Sequence, residues 1–316
     1  MEVLTEVDET RIKGLLERDE FFWLDLQSSD TGQLDTIGSL LRLHPMALED
    51  TREFGQRPKI DVYDEHVLVV FYTARAGDER PGPVAITIEV HVYVSGGFVV
   101  TIRREACDLL DRLHDSLVGE GTDVEDYLVY RVFDTLTDAW YPVVTAIEER
   151  VDVLEGEVLE HARQEQLRRI YRLRQEVREH HRLLIGQRDH FQPAAEAIRN
   201  LAGLSRGARE YLRDVGDHLA QVAGEFARQN DDLMALAQTY FNANADRVNT
   251  VATRITILGT LFLTWTLVTG FFGQNFGWLV DHINGRHSFL VYGVGGLLVP
   301  TVILLGVFWI KRDDWF

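Results

Sequence analysis

One helical face carries the residues that could do chemistry. Counting back from Gly270, the residues Thr266, Leu263, Gly259, Thr256, Ala252 and Asn249 follow at spacings of four, three, four, three, four and three. That rhythm stacks them on one side of a helix. Hydroxyls, a carboxamide and exposed backbone on such a face could carry a hydrated ion, with Leu263 as an apolar constriction. Small residues at the same spacing also let membrane helices approach closely, so spacing alone leaves a pore wall and a packing seam both open. The pore wall has a further requirement. Two helices cannot enclose a channel, so the chain would have to form a homo-oligomer with this helix innermost. Catalysis has no footing here. The sequence contains no Gly-rich Lys-Ser/Thr phosphate loop and no metal-ligating His pair with a general base, so no enzyme is expected.

The elements that must position this face can be read from charge. No Asp, Glu, Lys or Arg occurs from Ile255 to Val280, and none from Ser288 to Ile310. A helix needs roughly 20 mainly apolar residues to cross a hydrocarbon core of about 30 Å, so Ile255–Phe272 and Ser288–Ile310 are read as two spans. Trp309 near the end of the second suits an aromatic belt. The short connector, 273–287, completes a membrane hairpin spanning 255–310.

The 316-residue chain has a net charge of -18 and is 46% hydrophobic. After residue 254 the charges are Asp281, Arg286, Lys311, Arg312, Asp313 and Asp314, three acids against three bases, so the whole imbalance precedes the membrane. So acidic a soluble part disfavours nucleic acid as a partner. Met1–Glu20 has no apolar core and is not read as a secretory signal. Arg247 and Arg254 before the first span, with Lys311 and Arg312 after the second, place both termini in the cytoplasm of a multi-pass cell-membrane protein. The single Cys107 fits a reducing compartment and an ordinary core position.

The soluble part divides by period. Val84, Ile86, Ile88, Val90, Val92 and Val94 alternate, predicting a half-buried strand that Gly96-Gly97 turns into Phe98–Ile102. Val67–Tyr72 reads as a neighbouring strand, with helices over Thr36–Leu43 and Cys107–Val118. Residues 1–122 are therefore expected to form an α/β domain. From 123 to 254 the period is helical, through Ile147, Val151, Leu154 and Val158, then Leu167, Ile170, Leu173 and Val177. A break is expected near Pro193. Beyond it Tyr211, Val215, Leu219, Val222 and Phe226 begin a stripe with no proline before Pro300, so one helix of about 100 Å could run from Ser205 to Phe272. Residues 311–316 form a short tail. The fold class is thus an α+β membrane protein with an α/β soluble domain, a helical stalk and two C-terminal spans.

Several segments then carry a resemblance. Gly273-Gln274-Asn275, at the end of the first span, looks like the Gly-Met-Asn signature of the CorA magnesium transporter family. His44-Pro45 with Leu48-Glu49-Asp50, Gln56-Arg57-Pro58-Lys59, Phe98–Arg103, Tyr211–Val215 with Asp217-His218, and Asn249 are similar to family segments along nearly the whole chain. The resemblance implies a homopentamer in the lipid bilayer with an α/β/α cytoplasmic domain and a pore lined by the first span. It implies a selectivity filter of Gly273, Gln274 and Asn275, with Asn275 the outer ring and Asn249 at the cytoplasmic end. Mg²⁺ keeps its waters reluctantly shed, so carboxamides that hydrogen-bond the hydration shell suit it. A divalent ion gains about 4.6 kcal/mol per 100 mV of inside-negative potential, twice the single-charge value, so influx needs no ATP.

The resemblance also implies regulatory Mg²⁺ at acids between cytoplasmic domains. Asp214 matches the stalk partner, Asp217 lies close by, and Asp78, Glu79 and Glu89 are alternatives for the other partner. Three departures stand out. Gln274 replaces the family methionine and bears on selectivity among Mg²⁺, Co²⁺, Ni²⁺ and Zn²⁺. Trp265 replaces a proline-containing stretch and is expected to point off the stripe, and the basic tail is short. Three readings follow: a Mg²⁺ channel, a Zn²⁺ transporter like the ZntB branch and coupled to protons, and a membrane-anchored scaffold or sensor.

Overall fold

The computed structural model describes residues 2–27, 30–77, 82–119, 125–204, 208–274 and 276–310. They form two compact units, Met1–Ala237 and Gln238–Phe316. The first begins with β1 (Glu2–Leu4), α1 (Glu9–Glu17), β2 (Phe22–Gln27), α2 (Thr31–Leu40), α3 (Pro45–Glu53) and β3 (Lys59–Val62). There follow β4 (His66–Ala76), β5 (Ala85–Ser95), β6 (Phe98–Arg103), α4 (Asp108–Gly119), α5 (Glu125–Asp138), α6 (Tyr141–Glu160) and α7 (Gln164–Arg199). Helix α8 (Ala208–Phe272) belongs to both units.

Local chemistry starts the first helices. Asp8 accepts the Arg11 N–H at 3.0 Å and Asp30 accepts that of Gly32 at 2.9 Å, each satisfying an orphan donor of a helix start. His44 does the same for Met46 through Nδ1 while Pro45 takes the first helical position, where its missing N–H costs nothing.

The six strands run in the order β1-β2-β6-β5-β4-β3. β1, β2 and β6 are parallel neighbours, whereas β6, β5, β4 and β3 are joined antiparallel. One sheet face packs on α1–α3 through Phe22, Leu24, Leu26, Val100, Ile102, Ile12 and Ile37. Helices α4 to α7 lie against the other, where Phe71, Phe133 and Phe191 meet edge to face with centroids 5.3–6.3 Å apart. This two-sided cover corrects the half-buried strand expected at 84–94. Ile88 through Val94 are buried without exception, because the polar alternates Glu89, His91 and Tyr93 face a second packed layer. It also explains why Phe21-Phe22-Trp23-Leu24 gave no alternation to read as a strand.

Two helix boundaries differ from the sequence pattern. The helix expected at Thr36–Leu43 starts at Thr31, set by the Asp30 cap, and ends at Leu40. Pro193 does not break its helix; α7 runs through it to Arg199, where Phe191, Ala194, Ala195 and Ile198 bury their side chains and offset the lost backbone hydrogen bond. The hairpin glycine has a packing reason as well as a turn. A Cβ on Gly96 would stand 1.8 Å from the Ala202 carbonyl oxygen, so only glycine admits that approach.

The second unit holds the rest of α8, then α9 (Gly277–His282), a helical turn α10 (Arg286–Ser288), a π-helical turn (Phe289–Val294) and α11 (Gly295–Ile310). Two helices, ending at Phe272 and Ile310, contain stretches long and apolar enough to cross a membrane, with mean hydropathy 1.8 and 2.2 and no burial inside the protomer. Neither α9 nor the π-turn was legible in the pattern.

One buried ion pair tests this packing. Arg103 is 2% exposed, donates to Asp25 at 2.8 Å and to Asp111 at 2.6 Å, and leaves Nε without a partner. Asp25 is itself 5% exposed and accepts from Thr101, whose hydroxyl accepts from Trp23. Removing one member strands a buried charge. Asp25→Ala should therefore cost about 3 kcal/mol, whereas Asp25→Asn should cost less because the Thr101 hydrogen bond survives. Thermal unfolding of the full chain in detergent checks the order; equal, unchanged melting points would contradict it.

Candidate functional site

Within the second unit the stripe residues Asn249, Ala252, Thr256, Gly259, Leu263, Thr266 and Gly270 are all exposed. A Cβ on Gly259 or Gly270 would meet nothing within 4 Å, and Leu263 is 71% exposed. Contact with the second span comes from a different side of α8. Trp265 donates through Nε1 to the Thr301 hydroxyl at 2.8 Å, and Val268 and Phe272 lie 3.5 and 3.7 Å from where a Gly296 Cβ would be. The half-buried positions Thr253, Ile257, Thr260, Thr264 and Val268 mark the same side. Together they centre about 110° around the helix from the middle of the stripe. The seam inside the protomer is thus not the small-residue stripe, and Trp265 points away from it as expected. At its lower end the stripe borders a cavity of about 390 Å³, where Asn249, Ala252 and Thr256 face Phe308.

The hydroxyls on this face have a defined polarity. Thr256 donates to the Ala252 carbonyl at 2.9 Å and Thr266 to the Phe262 carbonyl at 2.8 Å. With their protons returned to the helix, both oxygens turn lone pairs outward. A hydrated cation presents only water hydrogens, so an acceptor-lined face matches it.

At the end of α8 the Gly273 and Gln274 N–H groups bond back to the carbonyls of Thr269 (2.8 Å) and Phe271 (3.3 Å). The helix therefore ends at the signature, and its C-terminal partial negative charge favours a cation there. Asn275 lies outside the described residues. Beyond it, α9 carries Trp278 stacked on His282 at 4.7 Å, with His282 Nδ1 donating to the Trp278 carbonyl at 2.8 Å.

The first unit assembles a second constellation. Asp214 and His218 on α8 face Asp134 and Asp138 on α5: His218 Nδ1 lies 3.1 Å from Asp134 and 3.9 Å from Asp138, and its Nε2 is 3.9 Å from Asp214. Tyr130 donates to Asp214 at 3.2 Å. One ligand atom each from Asp134, Asp138 and His218 falls within 4.8 Å of the others, a spacing that a divalent ion could bridge. Burial first, and then the Asp134 carboxylate, raise the Asp138 carboxyl above its ordinary value, and Asp214 adds to this while His218 and Arg131 oppose it. The Tyr130 hydroxyl is likewise pushed up, by burial and by Asp134 and Asp214. Asp134, Asp138 and His218 were not singled out in the sequence as partners of Asp214. The i, i+4 spacing of Asp134-Asp138 and of Asp214-His218 was the available signal.

The other regulatory candidates separate. Asp217 is exposed on α8. Glu89 is 8% exposed and accepts from Gly55 N–H (2.6 Å), Gln56 N–H (3.2 Å) and Tyr72 (3.0 Å), and pairs with His91 at 2.8 Å. Burial alone would raise its pKa, but the hydrogen bond from His91 and those from Gly55 and Tyr72 hold it below the ordinary value. Glu89 is thus a core anion with its oxygens engaged by donors of its own chain. Asp78 and Glu79 lie outside the described residues. Cys107 is buried, and burial raises its thiol pKa, so it is an inert core residue.

Known proteins share this architecture. The profile of the family described as CorA-like Mg2+ transporter protein matches residues 18–312. The Putative metal ion transporter YfjQ of Bacillus subtilis is 24% identical, with 94% of this chain and 90% of that protein covered. The Cobalt/magnesium transport protein CorA of Thermotoga maritima is 24% identical over 90% of this chain and 80% of its own length. The Zinc transport protein ZntB of Photorhabdus laumondii is 25% identical over 82% and 77%. Among solved structures, the complete CorA magnesium transporter from Methanocaldococcus jannaschii superposes with a TM-score of 0.77 at 17% identity, covering 93% of this chain and 91% of that one.

The acid cluster yields a pH and cation prediction. A carboxyl whose pKa is raised on folding binds its proton more readily folded than unfolded, so its contribution is favourable below the ordinary carboxylate pKa and is lost as pH rises. At neutral pH without divalent ions Asp138 is therefore a liability. Asp138→Asn should raise the melting temperature under chelation, by no more than about 2 °C because the group is half exposed. The same variant should shrink the gain that millimolar Mg²⁺ or Co²⁺ gives; a fall in melting temperature under chelation would contradict the repulsion.

Proposed function

Because the chain belongs to the CorA-like Mg2+ transporter family, whose members move divalent metal cations across membranes, we propose that it is a homo-oligomeric channel for Mg²⁺. The pentamer is the assembly that family resemblance favours. The observation that carries the reading is the exposed stripe from Asn249 to Gly270, whose Gly259–Gly270 part is left uncovered by the second span of its own chain. Copies of that face, brought together, would line a water-filled path with outward lone pairs and a Leu263 constriction. By the family resemblance, Asn275 with Gln274 would offer carboxamides to an incoming hydrated ion, which the negative end of α8 would favour. The inside-negative potential drives the ion, and the bases at Arg247, Arg254, Lys311 and Arg312 favour cytoplasmic termini.

Regulation follows from Asp214. A divalent ion at Asp134, Asp138, Asp214 and His218 would relieve the charge repulsion that raises Asp138, and Asp214 sits on the helix that also carries the stripe. Carboxylates suit Mg²⁺, while the imidazole suits Co²⁺, Ni²⁺ or Zn²⁺. Gln274 in place of methionine, together with the likeness to ZntB, supports a second reading as a Zn²⁺ transporter coupled to protons.

Dye-reported uptake into proteoliposomes, with an imposed potential and then a pH gradient, separates these readings. Potential-driven Mg²⁺ entry should fall roughly tenfold or more in Asn275→Ala, the scale of one lost hydrogen bond to a charged partner. Zn²⁺ entry that follows the proton gradient would transfer the assignment to the second reading, and no flux of either ion would leave an anchored scaffold. Asp214→Lys should blunt the protection that Mg²⁺ gives the soluble unit against protease; undiminished protection removes Asp214 from the regulatory site.

A further inference from the structure

A cleft lies between the two spanning helices at their connector end. Val268, Thr269 and Phe272 of α8, with Gly273 just beyond it, form one wall, with Ser288, Phe289, Tyr292, Gly293, Val294 and Leu297 opposite, and the cleft holds about 440 Å³. That is the size of a ligand pocket, and its lining is overwhelmingly apolar, so ordered water does not fill it. We propose that this cleft binds one anionic phospholipid, its acyl chain between the helices and its phosphate at Arg286. The proposal rests on reading residues 255–310 as a membrane hairpin whose stripe faces other copies of the chain, and not on ion flux.

Three observations select that occupant. The first is direction. At about 100° per residue, Val268, Thr269 and Phe272 centre roughly opposite the stripe on α8, so a cleft behind the stripe faces away from the surface that copies of the chain would share. The second is polarity at the mouth. Ser288 lines the cleft and ends the turn Arg286–Ser288, so Arg286 and His287 stand at the boundary where the charge-free span begins. Arg286 has no carboxylate partner among the described residues, and neither the Ser288 nor the Tyr292 hydroxyl has a hydrogen-bond partner among them. A phosphodiester supplies charge and acceptors to these groups, which a neutral apolar helix cannot. The third is shape. The turn Phe289–Val294 is π-helical, a local widening that concentrates at functional sites. Within it Gly293 keeps the wall open, since a Cβ there would already touch the Phe289 ring at 3.4 Å.

The consequence reaches the signature. Phe272 and Gly273 form the end of this cleft, so an acyl chain would buttress the turn that leads into Gln274.

Photolabelling the full-length chain in nanodiscs tests this, using phosphatidylglycerol or phosphatidylcholine with a diazirine in the acyl chain. Adducts should concentrate on residues 289–297 relative to Val302 and Ile303, which are on average more exposed on the same span. Phosphatidylglycerol should label about fivefold better than phosphatidylcholine, the factor one basic residue contributes at an anionic surface. Arg286→Gln should abolish that preference, and Gly293→Leu should reduce labelling by both lipids with an unchanged melting temperature. Labelling at 289–297 no higher than at 302–303, or a preference indifferent to Arg286→Gln, overturns the proposal. So does a Gly293→Cys variant that cross-links to a second chain, which would make the cleft a subunit interface.

Discussion

A helix that carries Asn249, Thr256 and Thr266 on one face while Ile255, Leu258, Phe262 and Leu267 stand exposed around it cannot leave that face against hydrocarbon without cost. The second span leaves its Gly259–Gly270 part uncovered, because Trp265, Val268 and Phe272 direct α11 to another side there. In the assembly proposed above, water between copies of the same face would cover it and would also satisfy the outward-turned hydroxyl oxygens. The proposed assembly, its polar lining and its cation preference would thus follow from one constraint. It is the constraint of polar groups in a medium that offers no hydrogen bonds.

The soluble unit applies the same rule in a different solvent. Its sheet is closed on both faces, so every charge that enters it is paired: Arg103 between Asp25 and Asp111, Glu89 among His91, Tyr72 and two backbone donors. The Asp134, Asp138 and Asp214 group contrasts with these. It is half exposed, gathers three carboxylates around one imidazole, and is electrostatically unfinished. Core acids are neutralised by the fold itself, whereas these leave room for a cation. That difference in saturation, rather than the residue type, separates the structural acids from the proposed regulatory ones.

Some of this was legible in the residues. Long-range charge absence marked the spans, and the 3–4 rhythm marked both the stripe and the uninterrupted helix to Phe272. The Gly96-Gly97 hairpin was visible too, whereas Asp214 stood out only through the family resemblance. Other features were not. Pro193 reads as a helix breaker because local propensity cannot see the packing of Phe191 and Ile198 that overrides it. Phe22–Leu26 carries no alternation because both its faces are buried. Glu89 looks like a surface acid in any window of sequence, since its four partners come from positions as distant as Gly55 and Tyr72.

The sequence by itself determined where the chain is apolar, where it is charged and which helix face is polar, because those are properties of residues and of the 3.6-residue turn. Only the tertiary structure decided which side of α8 the second span occupies, which acids are already satisfied, and that α5 brings Asp134 and Asp138 to Asp214. The physical reason is that burial and charge pairing depend on what packs across from a residue. Asp134 and His218 are 84 positions apart yet 3.1 Å away, and nothing in the local chain encodes that approach.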